Sequence, residues 1–172
     1  YPGNRPLEAD LGRWAVAHVK SRQEKAFAFD LTDSGISYYL PMVENRIRRR
    51  DNGKIRKSFL PLFPGYVALA LDREQWSGLY STRRVANIIA VDDQERFVRE
   101  LAQVQRALDS EVPVALEPAF APGRPVRVKS GAMQGLGGEV LSVRGQNVFV
   151  IRVHMFQQAV RVTLDVADLE AV

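Results

Sequence analysis

Cysteine is absent from all 172 residues. That excludes a disulfide framework, a thiolate nucleophile and any cysteine-based zinc site. It fits a reducing, cytoplasmic setting. Histidine is nearly as scarce. Only His18 and His154 are of the side-chain type suited to proton transfer near neutrality. Each falls within an expected strand, far from the other, and reads as a packed or surface residue. No spacing of His, Asp and Glu resembles a metal site. Gly131 to Gly138 is rich in glycine but lacks the lysine and following helix of a phosphate loop. No catalytic residue, metal or cofactor is expected, so the chain does not read as an enzyme. No signal peptide is visible, and no apolar run is long enough for a membrane span.

What is present is enough apolar sequence, 46% of residues, to bury a core of one ordinary domain or two small ones. Positive charge is concentrated in one place. Arg46, Arg48, Arg49, Arg50, Lys54, Arg56 and Lys57 against Glu44 and Asp51 give that stretch +5, more than the whole chain's +4. The run brackets Asn52-Gly53, a strong hairpin signal. A basic β-hairpin is expected there. It presents phosphate-binding side chains, or serves as a charged cover for a sheet edge.

The most informative stretch is Ser58 to Ala70. Pro61 and Pro64 exclude a helix and break a strand. From Tyr66 to Leu71 the residues are β-favouring and uncharged, as in a strand buried on both faces. A rigid apolar elbow, Leu62-Phe63-Pro64-Gly65, thus feeds a core strand.

Around it, Arg13 to Lys20 alternates as a strand. Ser21 to Glu24 reads as a capping box before a helix to about Ser34. Ile36 to Val43 reads as a strand disturbed by Pro41. Asp72 to Ser81 reads as a short helix and Val85 to Val91 as a strand. A second helix is expected after Asp92, with Phe97, Leu101, Val104 and Leu108 as its apolar stripe. The prediction is an α+β domain over residues 13–110, with helices on one face of a mainly antiparallel sheet. Residues 1–12 read as a flexible lead-in and 111–121 as a stiff linker. Short strands with glycine turns over 122–172 predict a small all-β barrel.

Pro61 to Val67 resembles the signature of the NusG family of bacterial transcription elongation factors. Pro122 to Val140, with its Val126-Arg127-Val128 strand and Gly131, Gly135 and Gly138, is similar to a KOW motif. Trp14-Ala15-Val16, Arg84-Val85 and the tail Val162-Thr163-Leu164-Asp165 complete a resemblance covering residues 13–172. It implies an NGN-like domain followed by an SH3-like KOW barrel, working as a monomer. It implies that the first domain binds the clamp helices of RNA polymerase and suppresses pausing or termination. Carried onto this chain, the polymerase contacts are Phe63, Pro64 and Tyr66, with Tyr39, Leu40, Ile88 and Ile89 beside them. The same residues also read as ordinary core. The basic hairpin would face upstream or non-template DNA. Met155 and Phe156 would meet the KOW partner, the Rho terminator or a small-subunit ribosomal protein. Leu62 before Phe63, and the lack of glycine in Thr82 to Ala90, lean toward the specialised RfaH-like paralogues. A housekeeping NusG factor and a KOW-type RNA-binding or ribosome-associated protein are the alternatives. Val148, Val150, Ile151 and Val153 predict a C-terminal domain that stays in β form.

Overall fold

Two strands that are apolar on both faces decide the first half of the fold. The computed structural model describes residues 6–10, 12–48, 50, 53–110, 112–118, 123–143 and 146–172. Strand β1 (Arg13–Val19) and strand β5 (Tyr66–Leu71) pair antiparallel at the centre of a four-stranded sheet of order β2-β5-β1-β6. Strand β2 (Ser37–Tyr39) and strand β6 (Val85–Ala90) flank them. Pro41 separates β2 from β3 (Met42–Arg48), which pairs with β4 (Ile55–Pro61) as a separate two-stranded hairpin. The hairpin is the expected one, although Arg49 and the Asp51-Asn52 pair lie outside the described residues.

Helices cover both faces of the four-stranded sheet, not the single face expected. Helix α1 (Glu24–Asp33) and the four-residue α2 (Trp76–Leu79) bury Phe27, Leu31 and Leu79 against Ala15, Ala17, Val67 and Leu69. Helix α3 (Gln94–Asp109) buries Phe97, Leu101 and Val104 against Trp14, Val16, Ala68 and Ala70 on the opposite face. The reason is the period of two: β1 and β5 are apolar at consecutive positions, so each face needs a cover. The cap of α3 is Asp93, whose side chain accepts from Arg96 N–H at 3.0 Å, one residue later than expected. Gln94 ties α3 to β1, accepting from Trp14 N–H at 2.7 Å and donating to Trp14 O at 2.9 Å. The lead-in also contributes to the core, because Leu7 is buried among the α3-side residues.

The C-terminal half is a six-stranded antiparallel sheet of order β12-β8-β9-β10-β11-β7. Its strands are β7 (Val114–Pro118), β8 (Arg124–Val128), β9 (Gly137–Val143), β10 (Gln146–Val153), β11 (Gln158–Val162) and β12 (Leu169–Ala171). Two expectations change. The segment read as a linker supplies β7, an edge strand on β11, with Pro113 and Pro118 at its ends where a missing N–H costs least. The sheet is also open, for among the described residues β12 and β7 do not pair with each other. Gly138 in β9 has a structural reason. A Cβ there would stand 2.5 Å from the Phe149 ring and 2.6 Å from Val150 O.

Candidate functional site

The elbow turns the chain from the hairpin into the central sheet within four residues. Leu62 N–H donates to Pro41 O at 2.8 Å, and Tyr66 N–H to Phe63 O at 3.2 Å. Gly65 N–H donates to the Glu24 carboxylate at 2.7 Å, and Gly65 O accepts from Val19 N–H at 2.9 Å. Gly65 has φ of +84°, with the His18 ring 3.6 Å from where a Cβ would be. Only glycine takes that conformation beside another ring without strain. The sequence predicts that Glu24 closes a capping box on its own helix. Instead it is buried at the start of α1 and pins the elbow. Nothing in its local sequence marks that role.

The expected polymerase-facing residues divide between the two sheet faces. Phe63, Tyr66, Tyr39 and Ile89 lie on the α3 side with Trp14 and Phe97. Leu40 and Ile88 lie on the α1 side among Phe27, Leu31 and Leu71. Tyr39 and Leu40, like Ile88 and Ile89, are consecutive, and neighbours along extended chain point to opposite faces. The structure therefore assembles four of the seven around the elbow, leaves Pro64 exposed at its corner, and places Leu40 and Ile88 in the opposite core. Burial pushes the Tyr39 phenol far above its ordinary pKa, and the nearby Asp109 carboxylate adds to the rise.

Phe63 is only 1% exposed, and what covers it is Phe156. Phe156 sits in the 3₁₀ turn His154–Phe156, between β10 and β11. Its ring centroid is 4.7 Å from Phe63, 5.4 Å from Tyr66 in a stacked arrangement, and 5.9 Å from Phe97 edge-on. His18 stacks on Tyr66 at 5.2 Å, and Phe97 meets Trp14 at 6.2 Å. Phe156, expected as an outward-facing partner contact, is thus buried between the two sheets, with Met155 half-buried beside it. Five aromatic rings and one imidazole form a continuous chain across the seam.

A polar clasp flanks the rings. Glu100 is 8% exposed, and both of its carboxylate oxygens are engaged. One lies 2.5 Å from His154 Nδ1 and accepts from Arg96 Nε at 3.0 Å; the other accepts from His154 N–H at 2.9 Å. The Arg96 guanidinium also lies against the His154 ring. Further along α3, Arg106 donates to Gln134 O at 3.0 Å. Helix α3 therefore has the expected buried apolar stripe and, beside it, polar side chains that reach the C-terminal half, of which Glu100 is buried while Arg96 and Arg106 are exposed.

The hairpin presents its charge to solvent. Cross-strand partners share a face, so Arg46, Lys57, Arg48 and Glu44 stand with Phe59 and Ile55, while Arg56 stands with Ile47. Arg48, Arg50, Lys54, Arg56, Lys57 and Arg46 are all exposed. Glu44 pairs with Arg46 at 2.9 Å and Lys57 at 3.2 Å, and these partners hold its carboxyl below the usual range. Phe59 is 57% exposed on this face, so an aromatic ring does stand among the basic side chains.

The family model described as transcription termination factor NusG matches residues 12–108. The chain belongs to the NusG family. The matched region spans β1 to α3 and includes the elbow, Glu24 and the hairpin. The chain is also similar to the transcription termination/antitermination protein NusG of Lactococcus lactis subsp. lactis (strain IL1403). The two are 25% identical over 161 residues, covering 86% of this chain and 81% of that protein. Among the described residues no helix is long and apolar enough to cross a membrane, and no cluster of three metal-ligating side chains occurs.

Proposed function

We propose that this NusG-family protein is a transcription elongation factor that grips the clamp helices of RNA polymerase and lessens pausing or termination. The observation that carries the reading is the aromatic elbow, Phe63 to Tyr66, braced by Pro61, Pro64 and Glu24 inside the family-matched region. A rigid apolar notch with Phe and Tyr anchors suits the apolar face of an amphipathic helix. Phe63, Pro64 and Tyr66 would meet that helix, with Tyr39 and Ile89 lining the same face. Leu40 and Ile88 would act only as support from the opposite core.

The elbow's ring is buried, and that bears directly on the reading. A ring sealed by its own domain would have no surface to offer. Here part of the cover comes from the C-terminal half, through the Phe156 ring of the turn between β10 and β11. The exposed basic hairpin, Arg46 to Lys57, would lie along upstream or non-template DNA. The C-terminal strands would act as the KOW-type unit, with Met155 and Phe156 as its partner contacts. In this reading the protein is a cytoplasmic, monomeric, non-enzymatic factor without a cofactor. Leu62-Phe63 and the glycine-free Thr82 to Ala90 support a specialised, RfaH-like paralogue.

The test is transcription in vitro with purified polymerase, reading pause lifetimes with the full chain, Tyr66→Ala and Pro64→Asp. The expected result is shortened pauses with the wild type and loss of the effect in both variants. Shortening that survives both variants would remove the elbow from the mechanism. A second reading follows from the relative's name, which covers termination as well as antitermination. A housekeeping factor would raise termination when Rho is added to the same assay.

A further inference from the structure

We infer that the first turn of α1 is a brace that fixes the basic hairpin at a set angle to the elbow, with Lys25 as its positioning residue. Nucleic acid on the hairpin and a helix on the elbow are then held together by one rigid frame. The inference rests on the proposed function for the identity of the two partners. The brace itself rests on the hydrogen bonds made by Gln23, Glu24 and Lys25.

Three successive side chains reach three separate elements. Gln23 Oε1 accepts from Arg84 Nη1, beside the start of β6, and Arg84 Nε donates to the Asp30 carboxylate at 2.7 Å, further along α1. These bonds tie the helix to the sheet. Glu24 takes Gly65 N–H at 2.7 Å, at the end of the elbow. Lys25 Nζ donates to Phe59 O at 2.5 Å, on strand β4 of the hairpin. Glu24 and Lys25 thus hold the two ends of one segment, Phe59 to Gly65, through which the hairpin runs into β5. Each end is chemically matched, because a carboxylate meets an N–H and an ammonium meets a carbonyl. Arg22 makes the turn into this helix at a φ of +62°, a conformation uncommon outside glycine.

The hairpin needs such a support. It is a sheet of two strands, and among the described residues no ladder joins it to the four-stranded sheet. Met42 and Val43 seat its base against the two cores. Phe59 lies beyond that base, so a bond there keeps the strands from swinging. A swinging hairpin loses free energy to ordering when it meets DNA, and a braced one does not. With the elbow on polymerase, the braced hairpin meets nearby duplex at a high effective concentration, and its phosphate contacts add to the joint affinity. Lys25 acts through Phe59, so its loss costs the joint complex alone.

The test titrates the full chain onto elongation complexes assembled from purified RNA polymerase with a long or a truncated upstream duplex. The wild type should bind the long-duplex complex about tenfold more tightly. Lys25→Met should lose that gain, keep its affinity for the truncated complex, and bind free duplex with an unchanged salt slope. Lys25→Arg, which keeps a donor, should restore the gain. The absence of cysteine allows a second measurement on the free chain. Spin labels at Ile47→Cys on the hairpin and Ser77→Cys on α2, both exposed positions, should give one narrow separation. It should broaden in Lys25→Met and narrow again in Lys25→Arg. A separation equally narrow in Lys25→Met would overturn the brace, and a gain that survives there would overturn its part in joint binding. Free-duplex affinity lost in step with the gain would make Lys25 an ordinary phosphate contact and overturn the positioning role. A wild type that binds neither complex would sink the proposed function, while the label separations still decide the brace.

Discussion

The carboxylate of Glu24 holds the backbone of Gly65, 41 residues away, at 2.7 Å. Through that one bond the first turn of α1 sets the angle at which the chain enters β5. The elbow is therefore positioned by a helix on the far side of the sheet from the ring it presents.

Replacing Glu24 should loosen the elbow. Glu24→Ala leaves Gly65 N–H without its partner and should cost about 1–3 kcal/mol in urea unfolding. Glu24→Gln keeps an acceptor and should cost less. Hydrogen exchange at Gly65 should quicken in the alanine variant first. Unchanged exchange there would show that the bond does not hold the turn.

Acid sensitivity should trace to Glu139. Arg152 lies 2.8 Å from its carboxylate and, with Gly123 N–H at 2.7 Å, holds its pKa below the usual carboxylate range. The unfolded chain, with the ordinary value near ~4.3, takes up the proton first as pH falls. The pair's contribution is thus complete above that value, and it is lost as pH drops through the folded value. Melting temperature of the wild type should fall steeply below about pH 4.3. Glu139→Gln should start lower and fall less steeply over the same window. Parallel curves would locate the acid response elsewhere.

Charge reversal on the hairpin should alter nucleic-acid binding and little else. Arg46→Glu, Arg48→Glu and Arg56→Glu lie on exposed strands, so each should change stability by no more than about 0.5 kcal/mol. For every phosphate the hairpin ceases to neutralise, the log–log salt dependence of duplex binding should flatten by about 0.9. Anisotropy titrations across salt concentrations measure that slope. A slope unchanged in the triple variant would leave the hairpin as a charged cover for its own edge. Phe59→Ala adds a separate comparison: weaker binding to single strands, with duplex binding unaffected, marks base stacking.

Gly138→Ala should be among the most damaging small substitutions. Its Cβ would meet the Phe149 ring at 2.5 Å, inside β9 where the backbone cannot give way. Overpacking of this kind costs about 1–3 kcal/mol, read as a lower midpoint in thermal unfolding. Gly78→Ala, with nothing within 4 Å of the new Cβ, is the matched control.

Much of this protein could be read from residue order alone. Runs such as Trp14–Ala17 and Val67–Leu71 determined β1 and β5, because uninterrupted apolar residues must be covered on both faces. Pro61, Pro64 and Gly65 determined the elbow, and Asn52-Gly53 with its flanking arginines determined the hairpin. The C-terminal glycines and β-branched runs determined short strands. These signals are local, so one short window holds each of them.

What faces what was decided only in three dimensions. Tyr39 and Leu40 look equivalent in sequence, yet the pleat sends them to opposite cores. Glu24 resembles a cap until the fold brings Gly65 to it. Glu100 and Arg96 resemble a solvated helix face until β10 packs there, and Phe156 resembles a free turn residue until it meets Phe63. Each of these depends on which distant segment arrives, and burial and charge pairing between residues far apart in the chain leave no mark on the residues nearby.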